Sequence, residues 1–288
     1  TVQPVRRRSV DAGISFSYIV IPMKLSGVNV DSVPGKCPVL DQPVRTLDEL
    51  RALPELKDSD LDPIREAVAA TVEMLGDTPL IGFAGAPFTV AAYMVEGGPS
   101  RDHLRPRTMM HADPAAWERL MTWCARVTGA FIAAQIRAGA SAAQLFDSWA
   151  GSLSPRAYRE RVAPYPALAL DAARGALSPT TGRAAPLIHF GTGTARLLGL
   201  MRQAGADAVG VDERIDLGEA IEALAGADPQ AGACPVQGNL GPALPAAPWP
   251  ILAEVLVAGL AAGRAAPGNA GILGLREPPA PAAEVRHR

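Results

Sequence analysis

Residues Gly82 to His103, GFAGAPFTVAAYMVEGGPSRDH, decide how the chain is read. Leu80-Ile81-Gly82-Phe83 is a short apolar run of the kind that ends a buried strand. Gly85-Ala86-Pro87 is too small and too broken to continue it. Thr89 to Val95 can turn helical, and Gly97-Gly98-Pro99 ends that turn. A strand that opens into a small-residue loop lets a ligand approach the backbone closely. This one then delivers Tyr93 and Glu96 beside the loop.

The same rhythm runs outward in both directions. Upstream, Val10 to Pro22 (VDAGISFSYIVIP) has the β-branched and aromatic content of a strand. Lys24 to Pro43 is rich in loop formers. Thr46-Leu47-Asp48-Glu49 carries a capping-box pattern, and Asp62-Pro63 predicts a helix with Asp at its N-cap and Pro at its first position. Ile64, Val68, Thr71 and Leu75 keep helical spacing until Gly76. Downstream, Asp113-Pro114 repeats the device, and Trp117, Leu120, Cys124, Val127 and Phe131 make one apolar face. Strands are expected over 142–146, 186–190, 208–211, 235–237 and 271–275. Helices are expected after Ser154, over 195–204, over 217–224 and over 250–263. About seven strand–helix units follow one another, close to the eight of a (β/α)8 barrel of ~250 residues. A doubly wound open sheet is the runner-up, weakened because no GxGxxG follows the first strand. No linker is visible, so residues 1–288 are expected to form a single domain.

A net charge of −2 over 288 residues gives no basis for a nucleic-acid or anionic-membrane partner. No apolar run is long enough to span a bilayer. Cys37, Cys124 and Cys234 lie far apart without a CxxC pair, which predicts a reduced, cytoplasmic protein and no metal site.

Barrel active sites sit where the strands end. That rule selects Phe83 to Pro87, Asp147-Ser148-Trp149, His189 to Thr194, Asp212 and Asn239. Tyr93 could donate a hydrogen bond to an anionic ligand, or could pack on the barrel rim. An acid, a hydroxyl and an indole at 147–149 suit a polar ligand, though Asp147 could equally hold a loop. The backbone N–H groups of Gly191-Thr192-Gly193-Thr194 could take an anion, or the glycines could serve a tight turn. His189 reads as a core or rim residue; His103 and His111 read as surface loop residues. No GxSxG surrounds a serine, so serine hydrolysis has no support.

Together, several blocks are specific. GFAGAPFTVAAYMVEGGPS (82–100), QLFDSWAGSLSP (144–155) and VQGNLGPALPAAPW (236–249) resemble the uroporphyrinogen decarboxylase family in its bacterial form. So do QPVRRRSVDAGISFSYIVIP (3–22) and HFGTGTARLLGLMRQAGADAVGVDERIDL (189–217). The resemblance implies a (β/α)8 barrel, a cytoplasmic homodimer, a porphyrinogen substrate and no cofactor. It further implies loss of CO2 from four acetate side chains of uroporphyrinogen III in haem biosynthesis. Tyr93 matches the family's substrate-contacting tyrosine and Ser148 its substrate-contacting serine.

Other positions depart from the family pattern. The first strand of the family carries FSD, whose Asp is the central catalytic carboxylate; here the residues are Phe16-Ser17-Tyr18. Leu275 stands at the family's substrate-binding His, Gly241 at the Asp of GNLDP, and Glu213 at the Trp that follows Asp212. The arginines of the family's RQAGR motif would lie ahead of Thr1. The expectation is therefore a barrel without its first strand and last helix, with Asp11 or Asp147 as poor replacements for the missing acid. Two other readings follow: an impaired fragment or pseudoenzyme that binds porphyrinogen or a partner subunit, and a zinc-dependent methyltransferase of a related barrel family. The latter would need a His-x-Cys pair that this sequence lacks.

Overall fold

A computed structural model describes residues 1–8, 10–15, 17–31, 38–227 and 232–265. Six parallel strands hydrogen-bond side by side in chain order: β1 (Gly13–Ile14), β2 (Leu80–Gly85), β3 (Ala142–Asp147), β4 (Leu187–Gly191), β5 (Ala208–Gly210) and β6 (Val236–Gln237). Helices alternate with them: α1 (Asp62–Leu75), α2 (Pro87–Glu96), α3 (Pro114–Arg137), α4 (Pro155–Arg161), α5 (Pro164–Ala173), α6 (Leu198–Gln203), α7 (Leu217–Ala227) and α8 (Trp249–Ala265). Parallel neighbours in strict chain order, joined by helices, are the arrangement of barrel-type βα units. The strand expected at 271–275 lies outside the described residues.

Register fixes which side chains face which way. Ile81 pairs with Ala142, Phe83 with Gln144 and Gly85 with Phe146, while Phe146 pairs with Phe190. Phe83, Phe146 and Phe190 form a ladder on one face, with ring centroids 4.6 and 5.4 Å apart. The alternate residues, Leu80, Ala84, Ala143, Leu145 and Leu187, join the buried side chains of α1, α3 and α5 in one apolar cluster. Period-two alternation thus divides an interior face from a helix-covered face. Each fully buried side chain in the helix layer, such as Phe131 or Ile132, contributes roughly 1.5–3 kcal/mol relative to exposure. Gly129 allows α3 to approach α5: a Cβ there would stand 2.7 Å from the Ala172 Cβ.

The first strand is much shorter than the sequence predicts. Among the described residues Gly13–Ile14 pair with β2, at Leu80 and Ile81, and Ser15 N–H adds one bond to the Ile81 carbonyl. The chain then turns, with Ile21 N–H donating to the Tyr18 carbonyl, and Pro22 enters a short helix, Ile21–Leu25. Beyond Ile81 no further strand pairing on this side of β2 occurs among the described residues. α3 supplies side-chain partners there. Gln135 accepts from Phe83 N–H at 3.0 Å and donates to the Phe83 carbonyl at 2.9 Å. Thr128 donates to the Gly85 carbonyl at 3.2 Å. A buried backbone group without such a partner would cost free energy comparable to a lost hydrogen bond.

Three caps match the sequence reading. Thr46 and Glu49 form a capping box, Asp113 accepts from Ala116 N–H and Ser154 accepts from Ala157 N–H. Asp62 does not cap: a 3-10 turn, Asp58–Leu61, leads into α1, so Asp62 lies inside the helix and pairs with Arg65 at 2.7 Å. α2 starts at Pro87, two residues before the expected Thr89, because Pro suits the first helical position. The expected helix over 195–204 divides into a 3-10 turn, Ala195–Leu197, and α6.

Candidate functional site

The C-terminal strand ends bring three loops together. Ala86 N–H donates to the Phe146 carbonyl at 2.8 Å, tying the loop after β2 to the end of β3. Gly151, beyond β3, lies so close to the loop after β4 that a Cβ would stand 2.3 Å from the Thr192 carbonyl oxygen. Only glycine permits that approach. Thr192 hydroxyl in turn donates to the Ser148 carbonyl at 2.6 Å.

Tyr93 and the Ser148 turn meet in this cluster. The Tyr93 ring lies nearly parallel to the Trp149 indole, with centroids 5.6 Å apart and an interplanar angle of 8°. Tyr93 is buried rather than set on the rim, and its hydroxyl donates to the Pro38 carbonyl. Ser148 is half-buried, and its hydroxyl makes no hydrogen bond among the described residues. Glu96, at the end of α2, accepts from Arg105 N–H at 3.2 Å.

His103 belongs to the same wall, contrary to its reading as a surface loop residue. It is 5% exposed, in left-handed backbone at φ 49°, and packs on Trp149 with centroids 4.4 Å apart. Burial lowers its pKa, with Glu96 opposing that shift. Sequence reasoning missed it because the Trp149 that buries it is distant in sequence. His111 is exposed, as expected, within the helix Leu104–Ala112.

Asp147 points away from the interior face, into the helix layer, and is completely buried. Thr89 hydroxyl donates to Oδ1 at 3.1 Å and Tyr158 hydroxyl to Oδ2 at 3.4 Å. His189 Nε2, equally buried, lies 3.5 Å from Oδ2. Burial first, and then Asp147, push the Tyr158 hydroxyl well above the usual tyrosine range. This location leaves Asp147 unable to face a ligand in the interior. Asp11 is exposed ahead of β1, at the opposite end of the strand.

In the glycine loop after β4 one N–H is already committed and not free for an anion. Gly193, at φ 68°, gives its N–H to Asp212 Oδ2 at 2.7 Å. Asp212 also pairs with Arg214, and Asn239 donates to the Asp212 carbonyl at 3.2 Å. Asp212 and Asn239 therefore lock the loops after β4, β5 and β6, while Arg214 remains 57% exposed at the strand ends. Arg214 is a cation that sequence reasoning did not single out. Glu213 and Gly241 are neighbours: a Cβ on Gly241 would stand 3.5 Å from the Glu213 Cβ. Tyr18 sits in the turn after β1 with 55% of its surface exposed, and the adjacent Ile19 packs where a Gly85 Cβ would be. Leu275 lies outside the described residues.

The family profile described as Uroporphyrinogen decarboxylase (URO-D) matches residues 1–273. The chain belongs to the uroporphyrinogen decarboxylase family. It is 57% identical to "Uroporphyrinogen decarboxylase" of Arthrobacter sp. (strain FB24) over 279 residues, covering 97% of this chain and 77% of that protein. The corresponding protein of Leifsonia xyli subsp. xyli is 52% identical over 293 residues, covering 97% and 76%. Among solved structures, a methyltransferase from Methanosarcina mazei superposes with a TM-score of 0.70, covering 96% of this chain and 77% of that one. At 15% identity that likeness extends to the fold alone, and the family membership carries the barrel class with it. Among the described residues no group of three His, Cys, Asp or Glu side chains could hold a metal ion. No helix among them is long and apolar enough to cross a membrane.

Proposed function

We propose that residues 1–288 act as one uroporphyrinogen decarboxylase-like barrel domain. It binds uroporphyrinogen III over the strand ends and converts its four acetate side chains to methyl groups, giving coproporphyrinogen III. The observation that carries the reading is the Tyr93–Trp149 stack, 5.6 Å between centroids. It sets Tyr93 against the turn that bears Ser148. These are the two positions whose family counterparts contact substrate. The unpaired Ser148 hydroxyl donates to a substrate carboxylate, Tyr93 turns its hydroxyl from Pro38 to the ligand, and Arg214 supplies a cation for a second carboxylate. The resemblance extends to a cytoplasmic homodimer; light scattering of the purified chain tests the dimer.

The chemistry needs a place for the electron pair of the breaking C–C bond. Protonation of a pyrrole ring carbon makes the ring a cationic sink, and the pair flows into it as CO2 leaves. A proton then adds to the exocyclic methylene, and loss of the ring proton restores the pyrrole. Each turn consumes one proton and releases one CO2. The substrate supplies its own electron sink, so the step is completed without a cofactor.

A negative group near the ring stabilises the cation. Tyr18 stands where the family has that carboxylate, and a phenol brings no full negative charge near neutral pH. The test is turnover of uroporphyrinogen III by the chain and by Tyr18→Asp. We expect the variant to be faster by about a hundredfold, at the low end of the effect of one preorganised charged or polar group. Equal rates would remove residue 18 from the reaction. Absence of turnover and of binding in both would overturn the proposed function.

A further inference from the structure

We propose that Thr89 and Asp147 are a positioning pair that fixes Ser148 relative to Tyr93. The inference rests on the reading of those two residues as substrate contacts. Thr89 and Tyr93 are one turn apart on α2, on the same helix face. Thr89 is 1% exposed and makes two hydrogen bonds in opposite senses. Its hydroxyl donates to Asp147 Oδ1 at 3.1 Å, and its oxygen accepts from Trp149 N–H at 3.3 Å. Ser148 is thus bracketed: the side chain of the residue before it and the backbone of the residue after it are both held by one hydroxyl. The Thr192 bond to the Ser148 carbonyl restrains the turn from the β4 side.

Asp147 is in turn held from behind. Tyr158 on α4 donates to its second oxygen at 3.4 Å, and the His189 ring on β4 lies beside that oxygen at 3.5 Å without a hydrogen bond. With both oxygens engaged on the helix side, Asp147 cannot also turn toward the interior. Its function is to hold the turn, which leaves the Ser148 hydroxyl free and the Trp149 indole stacked on Tyr93. Buried polar clusters whose members are hydrogen-bonded rigidify what they support.

The experiment uses the full chain and two readouts. The first needs no ligand: acrylamide quenching of the fluorescence that disappears in Trp149→Phe. The second is binding of uroporphyrin III, the stable oxidised macrocycle bearing the same eight carboxylates. Thr89→Val removes the hydroxyl at nearly constant shape. It should raise quenching of Trp149 and weaken uroporphyrin III binding about fivefold, the value of one net hydrogen bond. Thr89→Ser should restore both. Adding Ser148→Ala to Thr89→Val should cost less than Ser148→Ala alone, because the hydroxyl is already misplaced. Wild-type quenching in Thr89→Val would overturn the positioning role, as would weaker binding that tracks only a lower melting temperature. If quenching responds as expected but the wild-type chain does not bind uroporphyrin III, the positioning stands and the porphyrinogen reading falls.

Discussion

The helix Pro87–Glu96 and the turn from Ser17 to Val20 follow neighbouring parallel strands at the same end of the sheet, and they differ in almost every physical respect. In the helix, the nine consecutive residues Pro87 to Val95 are all buried. Phe88 is fully buried and packs edge-on against Trp117 at 6.1 Å. Thr89 and Tyr93 are both committed to hydrogen bonds. The turn follows a strand of only two residues, and its Tyr18 is 55% exposed. Packing therefore constrains the helix at each position but leaves residue 18 nearly free. On the proposed reading, the position matched to the family's carboxylate falls where folding imposes least, and the one matched to its tyrosine where folding imposes most.

The largest expected effect breaks or sustains that contrast directly. Phe88→Ala should cost about 3–5 kcal/mol, from lost transfer energy and the cavity left beside Trp117. Tyr18→Ala should stay within about 0.5 kcal/mol, as surface substitutions do. Urea unfolding of both variants measures the difference; equal costs would mean that the turn is as tightly packed as the helix. A smaller effect tests how β2 manages where β1 stops. Gln135→Leu keeps the volume but leaves Phe83 N–H and carbonyl without their side-chain partner. It should cost about 0.5–1.5 kcal/mol, the net value of a lost hydrogen bond. A neutral Gln135→Leu would show that β1 or water covers that edge instead.

Local signals made much of the fold readable. Thr46, Asp113 and Ser154 are short-range caps, and each acts within three residues of itself. The strands at 80, 142, 187 and 208 lie in short apolar segments bounded by glycine or proline, so period and punctuation located them. The length of β1 was not readable, because Ile19 and Val20 have strand propensity but obtain their burial by packing on α2 and Gly85. Tertiary burial overrode intrinsic preference there. Gln135 and Thr128 were equally hidden. On a helical wheel they interrupt an apolar face, and only their bonds to the Phe83 and Gly85 backbone explain them. At the candidate site, the rule that function gathers at strand ends found Asp147, Ser148 and Asp212. It could not tell which side of the sheet Asp147 faces, since that depends on register with β2 and β4. The expectations for Tyr18 and Gly241 come only from resemblance: nothing in their local sequence marks either position.

The smallest expected effect concerns the ring that completes the wall. His103 is buried on Trp149, and both its nitrogens lack hydrogen-bond partners among the described residues. Burial lowers its pKa; Arg107 acts in the same direction, while Glu96 and Asp102 oppose it. The unfolded chain therefore takes up a proton on this residue at a higher pH than the native chain does. Stability is unaffected well above the ordinary histidine value of about 6.5 and declines as pH falls below it, until the native group also protonates. The melting temperature should therefore drop on passing from about pH 7.5 to about pH 5.5, a window that spans the unfolded value. His103→Phe keeps an aromatic ring against Trp149 and removes the titration, so its melting temperature should fall less over the same window. Identical slopes in the two proteins would show that the His103 ring is hydrated in solution, and the wall would then be less sealed than its contrast with the Tyr18 turn requires.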